Sequence, residues 1–236
     1  LVQDRSDVVV AYHFCLHYDL RRSDPCRMLC SLAFQLAASF PTYKEALEEL
    51  NFQRKDLKEY DVSSLFDYLF IGPLSSMDAQ TTRRVILIDA LDECEHSGKN
   101  NILQCIRKNF DQLPAWLGVY MTTRPENPIT IHLKKFHPIE LKPEDQNNLK
   151  DVAIFFTDLL NQVAGPDLRD DSETMATGVN VLVEKSKGLF IYASMAAKKL
   201  KEAARNGNAV TLQSIEEFPE GLEEFYAEQM ERVASD

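Results

Sequence analysis

Hydrophobic positions follow two different periods along the chain, with the change near residue 142. Val8 to Leu16 is dense in β-branched and aromatic residues, as a buried strand is. Asp24-Pro25 then offers an N-cap followed by Pro at the first helical position. Met28, Leu29, Leu32 and Leu36 recur at helical spacing until Phe40-Pro41 ends the run. Tyr43 to Leu50 and Ser63 to Leu69 read as two short helices joined by the polar stretch Asn51 to Asp61. Val85-Ile86-Leu87-Ile88 has no polar position, which predicts a central strand of a parallel sheet covered on both faces. Asn100 to Leu113 is helical in period, Trp116 to Thr123 is a further strand, and His137 to Leu141 a weaker one. Strands separated by helices predict βαβ units and a mostly parallel sheet.

Beyond Leu141 only the helical period remains. Pro143 opens a helix carrying Leu149, Val152, Phe156, Leu159 and Val163, and Gly165-Pro166 ends it. A second helix runs from about Ser172 to Lys187 and stops at Gly188. A third, Leu189 to Arg205, stops at Asn206-Gly207, with Lys198, Lys199, Lys201 and Arg205 at the end that favours cations. The expected organisation is an α/β domain over 1–142, a helical subdomain over 143–206 and an acidic connector over 207–236. A length of 236 residues suits one large domain or one with a smaller companion, at about 150 residues per domain.

Charge and composition narrow the function. With 26 basic and 37 acidic residues the net charge is −11, which argues against a nucleic-acid binder working by phosphate neutralisation. Residues 207–236 hold eight acids against Arg232 alone, and read as a solvated helix face or an acidic docking surface. No apolar run reaches the roughly 18 to 20 residues of a membrane span. Five cysteines make an odd number in a chain of this size, so a disulfide framework is not expected and an intracellular, cytoplasmic location is. The start at Leu1, close to an apolar strand, suggests a piece of a larger protein.

The richest chemistry lies in Val85-Ile86-Leu87-Ile88-Asp89-Ala90-Leu91-Asp92-Glu93-Cys94. A buried strand ending in a carboxylate delivers that charge to the carboxyl edge of the sheet, where open α/β folds bind ligands. An isolated carboxylate there is costly to desolvate, so Mg²⁺ is a favoured partner for Asp89. Asp92 or Glu93, a few residues on, could polarise a water. The plainer reading is an acidic loop with Asp89 as a turn residue or helix cap. About thirty residues later Met121-Thr122-Thr123 leads into Arg124-Pro125-Glu126, placing Thr123 and Arg124 at the same edge. A guanidinium there can contact a terminal phosphate, or simply pair with Asp89 or Glu93.

Together these segments resemble the NACHT-type (STAND) signalling NTPases, a P-loop group. Ile86 to Cys94 looks like their Walker B segment and Thr122 to Glu126 like their sensor 1. Ala11-Tyr12-His13-Phe14-Cys15, Gly188-Leu189-Phe190-Ile191-Tyr192-Ala193 and Pro219 to Tyr226 extend the likeness over most of the chain. The resemblance implies a three-layer P-loop NTPase-like parallel sheet, incomplete here, followed by a small helical subdomain and the start of a winged-helix region. It implies an ATP-dependent switch holding Mg²⁺ and ATP or ADP between the α/β and helical domains. Asp89 would hold the metal through water, Glu93 or Asp92 would position the attacking water, and Arg124 would sense the γ-phosphate. Thr123 and Gly188 would contact the nucleotide. Its partners would be the nucleotide and other modules of the same chain, including winged-helix and repeat domains, with self-association on activation.

The sequence departs from that pattern at the phosphate cradle. GxxxxGK[ST] does not occur; the one Gly-Lys pair, Gly98-Lys99, is followed by Asn100 and comes after the Walker B strand. The expectation is therefore that the loop lies before Leu1, that this chain alone binds ATP weakly, and that hydrolysis belongs to the longer protein. A catalytically degenerate scaffold for protein–protein contact is the alternative. His13, Cys15 and His17 share a strand face and Cys26 and Cys30 a helix face, but no Cys-x-x-Cys supports a zinc site. A Cys94 nucleophile with His96 is disfavoured beside three carboxylates.

Overall fold

Three parallel strands organise the first part of the chain. β1 (Val9–Phe14), β2 (Arg84–Asp89) and β3 (Leu117–Met121) lie in the order β1-β2-β3. Phe14 stands opposite Asp89 and Ile88 opposite Met121, so all three strands end at one edge. The structure, a computed structural model, describes residues 8–50, 60–94 and 101–235. It divides into two units, Leu1–Pro138 and Ile139–Asp236. The α/β class expected from the sequence holds, with a parallel sheet that fits an incomplete P-loop-like fold and a helical unit after it.

The connection from β1 to β2 is helical: α1 (Leu20–Ser23), α2 (Pro25–Ser39), α3 (Pro41–Glu49), α4 (Val62–Phe66), a π-helical turn (Asp67–Ile71) and α5 (Gly72–Ser75). Asp24 caps α2 by accepting the Arg27 amide at 3.0 Å, and Pro25 occupies the first turn. Phe40 then turns extended, and Pro41 starts α3 at once. α1 and α2 also satisfy the free edge of β1. Gln35 exchanges two hydrogen bonds with the Tyr12 backbone at 3.0 and 2.9 Å, and the Ser39 hydroxyl and Arg22 guanidinium donate to the Val10 and Phe14 carbonyls. An edge so occupied is closed to further strands.

The two sheet faces are covered unequally. Ala11, His13, Ile86, Ile88 and Leu117 share one face and are buried against the helices. Register puts Tyr12, Phe14, Leu87 and Tyr120 on the other, where Tyr12 is 41% and Tyr120 59% exposed. After β2 the chain makes a 3₁₀ turn (Leu91–Glu93), α6 (Asn101–Asn109) and a second 3₁₀ turn (Phe110–Gln112). After β3 come α7 (Asn127–Leu133) and a 3₁₀ turn (Lys134–Phe136). Ile102, Leu103, Cys105 and Ile106 of α6 are buried, and Phe110 stacks on Phe66 with centroids 4.9 Å apart.

The strand expected at His137 to Leu141 does not form. His137 has φ 51°, and Ile139 and Leu141 are 88% and 85% exposed. The alternation is present, but no strand among the described residues pairs with it, and Pro138 removes a donor; an unpaired strand has no stability of its own. The Gly98-Lys99 pair, His96, the helix start at Asn100 and most of the stretch Asn51 to Asp61 lie outside the described residues.

The second unit is built on helices, α8 (Gln146–Val163), α9 (Pro166–Arg169), α10 (Ser172–Ser186), α11 (Phe190–Arg205), α12 (Leu212–Glu216) and α13 (Gly221–Ser235), with one isolated parallel bridge between Ala164 and Val210. α8 begins three residues after Pro143, because Asp145 accepts the Lys142 amide and holds residues 142–145 as a turn. Val152, Phe156, Leu160, Leu182, Tyr192, Ala196, Ile215 and Phe225 fill its core. Tyr192 donates its hydroxyl to the Pro219 carbonyl at 2.6 Å and meets the Phe225 ring edge-on at 5.4 Å. The two sequence segments carried by these residues therefore pack together. Glu216, Glu217, Glu220, Glu223 and Glu224 point to solvent.

Candidate functional site

The carboxyl edge of the sheet gathers the acidic string and the residues after β3. Asp89 is the last residue of β2, and its neighbour Ala90 adopts a left-handed conformation at φ 55°. That turn is costly for a residue with a Cβ, and it redirects the chain so that Leu91–Glu93 coil beneath the edge. Thr122 fixes the turn from the adjacent strand. Its hydroxyl donates to Asp89 Oδ1 at 2.5 Å and accepts the Ala90 amide at 3.0 Å. Its carbonyl accepts the Leu91 amide at 2.9 Å. The other Asp89 oxygen has no hydrogen-bond partner among the described residues.

Asp92 and Arg124 are brought together, and the contact is chiefly to the backbone. Asp92 Oδ1 accepts the Arg124 amide at 3.0 Å and lies 3.4 Å from the Thr123 hydroxyl. Its Oδ2 is 3.6 Å from Arg124 Nε; the Asp92 side chain is 6% exposed and that of Arg124 73%. The guanidinium thus pairs with Asp92 rather than with Asp89 or Glu93, the partners considered from the sequence. Glu93 accepts the amide of His17, just beyond the end of β1, at 3.0 Å. Thr122, which the sequence reading passed over in favour of Thr123, is the residue that holds Asp89. Strand register would have found it, since Ile88 pairs with Met121 and so sets Thr122 beside Asp89.

The remaining candidates have structural surroundings. His13 is buried and bonded through Nε2 to the Arg22 carbonyl at 2.9 Å, and burial lowers its pKa. Cys94 is fully buried, and its thiol is pushed well above the ordinary range by the Cys15 thiol beside it and by burial. A thiol held protonated is a poor nucleophile. Among the described residues no group of three or more His, Cys, Asp and Glu side chains is arranged to hold a metal ion. Gly188, in the helical unit, has φ +74°, and a Cβ there would lie 2.0 Å from the Pro143 carbonyl oxygen. Asn148 Nδ2 donates to that carbonyl at 2.6 Å and to the Gly188 carbonyl at 2.8 Å. The positive φ and the close approach of the Pro143 carbonyl both require glycine at this position.

The model of one protein family, described as Nephrocystin 3, N-terminal, matches residues 1–124, more than half of the chain. The chain belongs to this family. No curated protein and no solved structure matches it. The nephrocystin 3 N-terminal match takes in all three strands and stops at Arg124, so it includes every residue of the edge just described. The helical unit lies beyond it. No helix among the described residues is long and apolar enough to cross a membrane.

Proposed function

We propose that the chain is part of a NACHT-like ATP-dependent signalling switch, with Mg²⁺ and nucleotide taken up at the carboxyl edge of the sheet. The observation that carries this reading is the convergence of Asp89, Asp92, Glu93 and Arg124 on one edge, with Asp89 held by Thr122 through one oxygen only. The donor set suits the metal. Mg²⁺ takes one or two carboxylates and fills its remaining positions with water and phosphate oxygens, so a single well-oriented Asp is sufficient and a three-ligand cage is unnecessary. When bound, the ion would neutralise charge on the nucleotide's phosphates. Asp89 is oriented for it by the Thr122 hydroxyl. Asp92 fixes the Arg124 backbone and leaves the guanidinium largely in solvent, free to meet a terminal phosphate. Glu93, set by the His17 amide, is the candidate for positioning water.

The phosphate cradle is supplied in this reading by polypeptide outside these 236 residues, and the response passes to further modules of the same protein or to self-association. Calorimetric titration of Mg-ATP into the 236-residue chain and into a longer natural polypeptide tests it. Weak binding by the former and tight, Mg²⁺-dependent binding by the latter is expected, with Asp89→Asn abolishing the Mg²⁺ dependence and Arg124→Gln reducing the preference for ATP over ADP. A longer polypeptide that ignores nucleotide would overturn it.

One observation favours a second reading, a degenerate scaffold that keeps the fold for protein contact. Asp92, Thr123 and Glu93 are each engaged by the chain's own groups. Silent Asp89→Asn and Arg124→Gln variants in the longer polypeptide would select it.

A further inference from the structure

The two outer edges of the sheet are finished differently. On β1 the outward backbone groups are taken up by Gln35, Ser39 and Arg22 of α1 and α2. No such cover meets β3 among the described residues. The Trp116 carbonyl accepts the Arg84 amide and the Thr122 amide donates to the Ile88 carbonyl, so the even-numbered residues of this segment bond to β2. Leu117, Val119 and Met121 therefore turn their amides and carbonyls outward. Of these groups the Leu117 amide alone has a partner among the described residues, the Pro114 carbonyl at 2.9 Å. The usual devices that blunt an open edge are missing too. Leu117-Gly118-Val119-Tyr120-Met121 contains no charge and no proline, and its register with β2 is unbroken.

We propose that β3 pairs antiparallel with β3 of a second copy of this chain, about a two-fold axis at Val119. The strand is complementary to itself. Centring on Val119 sets Leu117 opposite Met121 and Gly118 opposite Tyr120. The outward groups then coincide: the two Val119 residues exchange amide–carbonyl bonds, and each Met121 amide meets the Leu117 carbonyl across the axis, so the engaged Leu117 amide is not needed. On the solvent face each Tyr120 ring, 59% exposed, lies over a glycine. The space above Gly118 is open, since a Cβ there would meet nothing closer than the Arg84 carbonyl at 3.8 Å. Charge is compatible as well, because copies of a chain at −11 repel one another and this strip opposes no like charges. The assembly also closes. Both outer strands of the joined sheet are β1, whose edges are already occupied, so association ends at a dimer and does not run on into a fibre. Strands of five residues bury less than the roughly 1,200 Å² of stable interfaces, which predicts a weak, reversible dimer. The pairing is independent of nucleotide at the carboxyl edge.

Sedimentation velocity on the 236-residue chain, up to about 1 mM where weak complexes populate, tests it. A monomer–dimer equilibrium is expected, with hydrogen exchange of the Val119 and Met121 amides slowing as the dimer forms. Added salt should strengthen association by screening the like net charges. Tyr120→Lys places a charge on the strip, and Val119→Pro removes an outward amide without removing a bond to β2. Each should weaken the dimer by about tenfold or more. Unchanged far-ultraviolet circular dichroism would show the variants folded, and Tyr120→Lys, at an exposed position, carries the test if Val119→Pro does not fold. A chain monomeric at every concentration, a dimer that a folded variant leaves unweakened, or Val119 amides that gain no protection would overturn the proposal. So would a longer natural polypeptide that stays monomeric where the 236-residue chain dimerises, since the edge would then belong to a strand of that polypeptide.

Discussion

At the scale of single residues, the edge is held by hydrogen bonds to backbone more than by its ion pair. The Asp92 carboxylate is almost wholly buried, and the bond it accepts from the Arg124 amide is charge-assisted, worth about 1.5 to 3 kcal/mol. The guanidinium it also meets is largely in water, where such a pair contributes about 1 kcal/mol at most. Asp92→Ala should therefore cost about 2 kcal/mol in urea denaturation, and Arg124→Ala less than about 1 kcal/mol. Equal losses from the two substitutions would show that the ion pair, not the amide, is what Asp92 serves. The sequence exposed the chemistry of these residues through their types and spacing. It could not show which oxygen meets which donor, since that depends on the Ala90 turn, and nothing in Ile-Asp-Ala-Leu announces a left-handed alanine.

At the scale of elements, strands and helices were legible wherever a segment's own pattern decides its structure. β2 and α2 are examples: an unbroken apolar run, and an Asp-Pro cap followed by a helical stripe. His137 to Leu141 was misread because a strand also needs a neighbour, and alternation records only one of its two faces. Pro143 was misread as a helix start because the turn before α8 depends on Asp145 and on contacts from forty residues away. That last connection gives a sharp prediction. A Cβ on residue 188 would collide with the Pro143 carbonyl and also strain a φ of +74°. Gly188→Ala should cost more than about 2 kcal/mol, well beyond the roughly 1 to 2 kcal/mol of left-handed strain alone. Asn148→Ala, which removes two donors but adds no clash, should cost less. If Gly188→Ala is as stable as the natural chain by urea denaturation, the turn at Pro143 is not packed on residue 188.

At the scale of the whole molecule, the two units differ in their thiols, all five of which lie in the α/β unit, and pH should separate them. The α/β unit encloses groups that resist ionisation: burial raises Cys30 to about 11 and Cys105 to about 12, and raises the Tyr43 phenol as well. An unfolded thiol ionises near 9.0, so between that point and the folded value the native state holds the extra proton and stability falls as pH rises. The slope approaches about 1.4 kcal/mol per pH unit for Cys105 at most. The acid side runs in the opposite sense. His13 is held neutral by burial to below its ordinary 6.5, the unfolded chain binds more protons in that window, and stability is lost as pH drops through it. In the helical unit the exposed Asp171 is lowered by the Thr174 hydroxyl and the Glu173 amide, and it acts on the acid side. The single tryptophan, Trp116, is buried in the α/β core, so its fluorescence follows that unit while far-ultraviolet circular dichroism follows both. Between pH 8 and 10.5 the Trp116 unfolding midpoint in urea should fall while a second, dichroic transition from the helical unit stays in place. Cys105→Ala should flatten the fluorescence midpoint against pH even as it lowers it at pH 8. Coincident transitions that move together at every pH would mean that the units unfold as one, and that burial of these thiols is felt by the entire chain.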